Sequence, residues 1–270
     1  EDAARAALQA EKHAPVRGRA LGVRARALWL QGDRGGAGAL AEEALPLLIP
    51  EGESPLAAEL LAIHARVHAG RVYDAGREGR PWPARSMTEA LRAFELLGRH
   101  PLGGEPLLLE HLDFLAFLGL HHETGAVLAD ALRRNPVSPG AHERYRAHLW
   151  REGDPARIEA GYQGSGPWGE RAAREHGAQL EWYAAFASLV AAEEFARQER
   201  KAEAAAAYGR ARTRFAASAA AEPGFHDTAS HFSCLALAGQ AWLALEAGEP
   251  AAALELFLQE IGRASGRERV

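Results

Sequence analysis

A three-part spacing recurs along this chain: a small residue, a bulky apolar or aromatic residue four positions on, and a small or apolar residue three further. It occurs at Ala37/Ala41/Ala44, Ala90/Phe94/Leu97, Thr124/Leu128/Ala131 and Ala204/Tyr208/Ala211, and without its last member at Ile158/Tyr162 and Ala253/Phe257. Steps of four and three place all three side chains on one face of an α-helix. Successive first members are 53, 34, 34, 46 and 49 residues apart, and a step near 34 is the length of one helix–turn–helix unit. A single pair of helices cannot bury its apolar faces alone, so the pattern predicts stacked helical hairpins.

The segments between these positions fit that reading. Helical periodicity covers 16–31 and resumes at 37–48 after Gly32-Asp33-Arg34-Gly35-Gly36. Further pairs are expected at 55–68 with 86–97, 107–120 with 124–134, 142–152 with 156–162, 170–197 with 202–221, and 227–246 with 251–258. Residues 71–83, with Gly76, Gly79, Pro81 and Pro83, read as an irregular loop. The helix at 107–120 is apolar on most faces and is expected to be central. No stretch alternates over strand length.

With the residues in view, a resemblance follows. Gly32-Asp33, Gly153-Asp154 and Gly248-Glu249 match the turn inside a tetratricopeptide repeat (TPR), the recurring spacing matches its second helix, and Pro50 and Pro136 match its closing proline. The resemblance spans about 240 residues, and it implies an all-α fold, an α-α superhelix built as a right-handed solenoid of antiparallel helix pairs. Insertions separate most units, and the early tryptophan and glycine of the first helix are mostly absent. The implied organisation is N-terminal hairpins over 1–163, a linker or break at 164–169, C-terminal hairpins over 170–260 and a tail at 261–270. That tail resembles translated vector sequence, and the chain is expected to be part of a longer bacterial protein whose natural N-terminus is missing.

The resemblance also implies a concave groove lined by the first helix of each unit, for a protein or peptide partner. Matching each turn gives Arg19, Arg26 and Trp29 in the first unit and Asp113 and Phe117 in the third. It gives Glu143, Trp150 and Arg151 in the fourth, Glu193 and Arg197 in the fifth, and Trp242 in the sixth. Tryptophan and arginine are the common anchors of interfaces, although a large aromatic at helical spacing serves equally well between helices. TPR domains that clamp a terminal carboxylate use groove asparagines, and the one asparagine here, Asn135, lies at a repeat boundary.

Composition narrows the function further. The net charge of −5 offers no basic field for nucleic acid, and no apolar run is long enough to span a membrane. Cys234, the single cysteine, lies in an apolar run and is expected to be a buried, inert thiol compatible with any compartment, the cytoplasm being the default. His64 and His68 share a helix face but lack the intervening glutamate of a zinc protease, so they are expected to face solvent or be hydrogen-bonded. His121-His122-Glu123 is expected to cap a turn, and Asp227, with Thr228 or Ser230 as alternatives, to cap a helix whose first turns carry His231. The arginine runs 17/19/24/26 and 210/212/214 read as solvated faces, and Gly164-Ser165-Gly166-Pro167 has no phosphate-loop lysine. The chain is therefore expected to be a non-enzymatic interaction scaffold with no cofactor and no metal. The alternatives are a sensory or docking segment of a larger signalling or transcription-regulatory protein and, more remotely, a helical metal-dependent enzyme.

Overall fold

The computed structural model describes the backbone of residues 2–48 and 54–267 and the side chains of 13–48 and 54–258. Glu1, Pro50 and the end of the 261–270 tail lie outside the described residues. The described residues form thirteen α-helices, one 3-10 turn and no strand. They group into two compact units, Glu1–Leu120 and His121–Val270.

The first unit holds α1 (Asp2–Leu30), α2 (Arg34–Leu48), α3 (Pro55–Arg77), α4 (Ala84–Arg99) and α5 (Glu105–Phe117). Consecutive helices pack on one another, and α1 also packs on α3. The turn from α1 to α2 shows why Gly32-Asp33 punctuates the sequence. Gly32 takes a left-handed φ of +86°, open to glycine without steric cost, and the Asp33 carboxylate accepts the Gly36 amide at 2.8 Å, capping α2. Two glycines on α1 let its neighbours close in. A Cβ on Gly18 would stand 2.9 Å from Leu47 Cβ, and one on Gly22 2.9 Å from Leu60 Cδ1.

The second unit holds α6 (His121–Arg134), α7 (Pro139–Trp150), α8 (Pro155–Ala160), α9 (Gly169–Glu175), α10 (Gly177–Arg197), α11 (Lys201–Ala221), α12 (His226–Glu246) and α13 (Pro250–Arg267). Here α10 packs on α8, α11 and α12, and α12 packs on α11 and α13. Of the stretch 164–169, residues 164–168 form a run of turns that buries Trp168, and Gly169 opens α9.

The recurring spacing marks the core. Every position of the pattern named above is buried except Phe257, which is 45% exposed on α13. Tyr162 is buried from just beyond the end of the short α8, and not from within a helix. One partner of the pattern is a glycine: a Cβ on Gly239 of α12 would lie 2.3 Å from the Tyr208 ring of α11. Gly239→Ala is therefore expected to destabilise the protein by about 1–3 kcal/mol, the overpacking cost exceeding the gain in helix propensity; an unchanged urea midpoint would contradict this.

Several sequence expectations need correction. Residues 71–77 are helical and not loop, because Gly76 is a packing position: its missing Cβ makes room for Phe117 Cζ, which would otherwise stand 2.7 Å away. The irregular segment is confined to 78–83. The helix expected over 170–197 is broken at His176 (φ −124°, ψ 26°), whose amide ends α9 on Ala172 O and whose carbonyl starts α10 with Leu180 N. Asp227 does not cap α12. The 3-10 turn Pro223–Phe225 runs directly into the helix, so Phe225 holds the cap position and Asp227 sits exposed in the first turn. Cys234 is half-buried and not sequestered. His121, His122 and Glu123 form the exposed first turn of α6.

Candidate binding groove

In the first unit α3 presents one face built from residues three and four apart, on which small side chains border a hollow. Ala58 and Ala62, with Pro55 and Ile63, form the wall of a groove of about 480 Å³. Arg26, Trp29 and Leu30 close it from the last turns of α1, and Leu102 and Leu107 close it from the other side. A second hollow of about 430 Å³ shares Trp29 and Arg66 with the first and continues past Gly70 to Asp74 and Glu110.

Charge crosses this groove twice. Arg26 Nε lies 3.4 Å from Glu59 Oε2. Arg66 on α3 makes a two-pronged contact to Glu110 on α5, with Nε and Nη2 donating at 2.7 and 2.6 Å, and this hydrogen-bonded pairing raises the arginine pKa above its ordinary value. Tyr73, about two turns further along α3, packs edge-on against Phe114 and Phe117 at 5.6 and 4.7 Å between centroids. Its hydroxyl pKa is pushed up to about 12 by burial first and then by Asp113 and Glu110. The groove is thus apolar in its wall, aromatic at Trp29, and edged by carboxylates and guanidinium groups that already hold one another in place.

Of the expected partner-binding residues, Arg26 and Trp29 line this groove. Trp29 is half-buried: it packs against the core of the unit and also lines the groove. Arg19 is exposed further up α1. On α5, Asp113 is exposed, whereas Phe117 is committed to Tyr73, Trp82 and the space over Gly76. In the second unit Glu143 is exposed and Trp150 half-buried on α7, with Arg151 just beyond, donating to His148 O and paired with Glu152. On α10 Glu193 is exposed and Arg197 is paired with Glu194 at 2.5 Å. Trp242 on α12 is 63% exposed and donates to Glu246 at 2.9 Å.

The sequence reading missed Glu59, Arg66 and Glu110. A signal was present: Arg66 is the one charged residue between Leu60 and Gly70, and Glu110 is isolated between Leu107 and Leu112. Opposite charges set singly in two apolar helices are natural partners across a helix interface.

Of the two outcomes expected for the histidine pair, hydrogen bonding holds for His64 and solvent exposure for neither. His64 and His68 are buried and do not face solvent; their rings stand 4.4 Å apart, and His64 Nε2 lies 3.2 Å from Glu89 Oε2. Among the described residues no three histidine, cysteine or acidic side chains are grouped to hold a metal ion. The 210/212/214 arginines are not simply solvated: Arg210 pairs with Glu159 and half-buried Arg212 donates to Gln240. No helix among the described residues is long and apolar enough to cross a membrane.

No protein-family model matches the chain, and comparison with curated proteins finds no match.

Proposed function

We propose that the protein is a scaffold that binds an extended peptide or a partner helix in the groove between α1, α3 and α5 and itself performs no chemistry. The observation that carries this reading is the placement of Trp29, half-exposed, in an apolar trough whose charged rim is already organised by the Arg26–Glu59 and Arg66–Glu110 pairs. A rigid aromatic anchor beside preformed polar groups is the arrangement in which a small number of residues supplies most of the binding energy. The wider architecture that we assign is a TPR-like, right-handed solenoid of antiparallel helix pairs. It is supported by the buried recurring positions, by the Gly-Asp turns at 32–33 and 153–154, and by the sequential packing of neighbouring helices.

The test is selection of twelve-residue peptides from a display library on the purified protein, followed by titration of the selected peptides against variants. Trp29→Ala is expected to weaken binding at least about tenfold while helix content by circular dichroism is retained. Trp242→Ala, on the other unit, should leave these affinities unchanged. Peptides whose affinity ignores Trp29→Ala and follows Trp242→Ala would remove the groove reading.

A further inference from the structure

The side of α1 turned away from the core carries an exposed apolar stripe. Its core-facing residues are Gly18, Gly22 and Ala25, all buried, with Leu21 and Leu28 packed beside them. The opposite face is apolar as well. Val16, Ala20, Val23, Ala27 and Leu30 follow one another at steps of four and three, and all are exposed, Val16 at 64%, Val23 at 62% and Leu30 at 77%. That alternation is the seam spacing of two helices packed side by side, with alanines at alternate positions permitting close approach. A helix this apolar on its solvent side is otherwise expected to carry polar residues there.

Arginines run along both edges of the seam at seven-residue intervals, Arg17 and Arg24 on one side, Arg19 and Arg26 on the other. No acidic residue occurs on α1 between 13 and 30. Arg17 is paired with Glu43 and Arg26 with Glu59, but these pairs are largely exposed and contribute little on their own account. The charge pattern decides the occupant. Against a second copy of α1, parallel or antiparallel, arginine would face arginine across the seam. Against an anionic membrane, a narrow stripe of valine and alanine is a poor anchor, because interfacial helices bury broad faces rich in tryptophan, phenylalanine and leucine.

We propose that this face of α1 docks an acidic amphipathic helix, one that offers apolar residues at four-three spacing and glutamate or aspartate along both edges. The face adjoins the groove, sharing Arg26 and Leu30 with its rim, and its remaining residues, Val16 to Ala27, lie outside it and add a second class of partner.

The probe is a fluorescein-labelled synthetic peptide of three heptads with leucine at the seam positions and glutamate at the flanking ones, whose own glutamates discourage self-pairing. The same peptide with lysine in place of glutamate is the control, together with vesicles containing phosphatidylserine. We expect the glutamate peptide to bind with at least tenfold preference over the lysine peptide and to weaken as salt rises. The double variant Val16→Glu/Val23→Glu, at two exposed positions, should abolish binding without altering the circular dichroism spectrum. Arg19→Glu/Arg24→Glu should transfer the preference to the lysine peptide, and it provides the reading if the first variant misfolds. No binding, equal binding of both peptides, binding of vesicles alone, or a concentration-dependent dimer that Val16→Glu/Val23→Glu dissociates would each overturn the proposal.

Discussion

Replacing Phe215 with alanine is expected to destabilise the second unit by about 3–5 kcal/mol, the range for removing a fully enclosed aromatic side chain. Phe215 on α11 has no exposed surface. Its ring stacks on Phe232 of α12 at 5.6 Å with 16° between planes, and it meets Trp182 of α10 nearly edge-on at 6.1 Å. Three helices therefore converge on one ring, and its neighbours on α11 at helical spacing, Ala211 and Ser218, are too small to refill the space. Ser218 is further fixed by donating to Ala178 O at 2.8 Å. Phe257→Ala removes the same atoms from an exposed position and is expected to change stability by no more than about 0.5 kcal/mol. Urea unfolding followed by circular dichroism separates the two. A loss below 1 kcal/mol for Phe215→Ala would mean that the aromatic cluster is not the centre of this unit.

The contrast between Phe215 and Phe257 also shows what the sequence made legible. Periodicity identifies residues that share a helix face, and it found the buried face of α2, α4, α6 and α11 correctly. It cannot say whether a neighbour covers that face, which is why Phe257 carries the pattern and remains exposed. Turn chemistry was legible where backbone geometry demands it, as at Gly32 and Gly153 with their left-handed φ. It misled at Gly76, where the same residue type serves a side chain, Phe117, arriving from another helix. At Glu199 a left-handed turn is made without glycine, so composition gave no sign of it. The groove was half legible: Trp29 and Arg26 follow from their place before a recognisable turn, but Arg66 and Glu110 matter through each other, 44 residues apart. Long-range pairing of this kind has no local periodicity.

Acidification from pH 7 to pH 4 is expected to destabilise the protein through three histidines that fold in the neutral form. His68, His111 and His142 each have their pKa lowered to about 4, in every case chiefly by burial. For His68 the neighbouring His64 and Arg71 add to the effect, against Glu42 and Glu89; for His142 the hydrogen bond to Pro136 O opposes it. In the unfolded chain these groups titrate near 6.5. Above that value neither state is protonated and stability is unaffected. Between about 6.5 and 4 the unfolded chain binds protons that the folded protein refuses, and stability falls by up to about 1.4 kcal/mol per pH unit for each histidine. Below about 4 this contribution levels off, because the folded groups then titrate as well. The carboxylates of Glu175 and Glu246, lowered by Arg171 and Lys201 respectively, are exposed and begin to matter only towards the lower end of that window. His111 provides the cleanest variant, since it lies flat on Phe94 with centroids 5.3 Å apart and planes 8° apart. His111→Phe preserves the stack, so it should be close to neutral at pH 7 and should reduce the acid slope by about one histidine's share. His142→Phe differs, because it deprives Pro136 O and the Tyr162 hydroxyl of partners at 2.8 and 3.1 Å. It should cost about 1–3 kcal/mol already at pH 7. Urea midpoints at pH 7.0, 5.5 and 4.5 distinguish the cases, and an unchanged slope in His111→Phe would show that this imidazole is not held neutral by its burial.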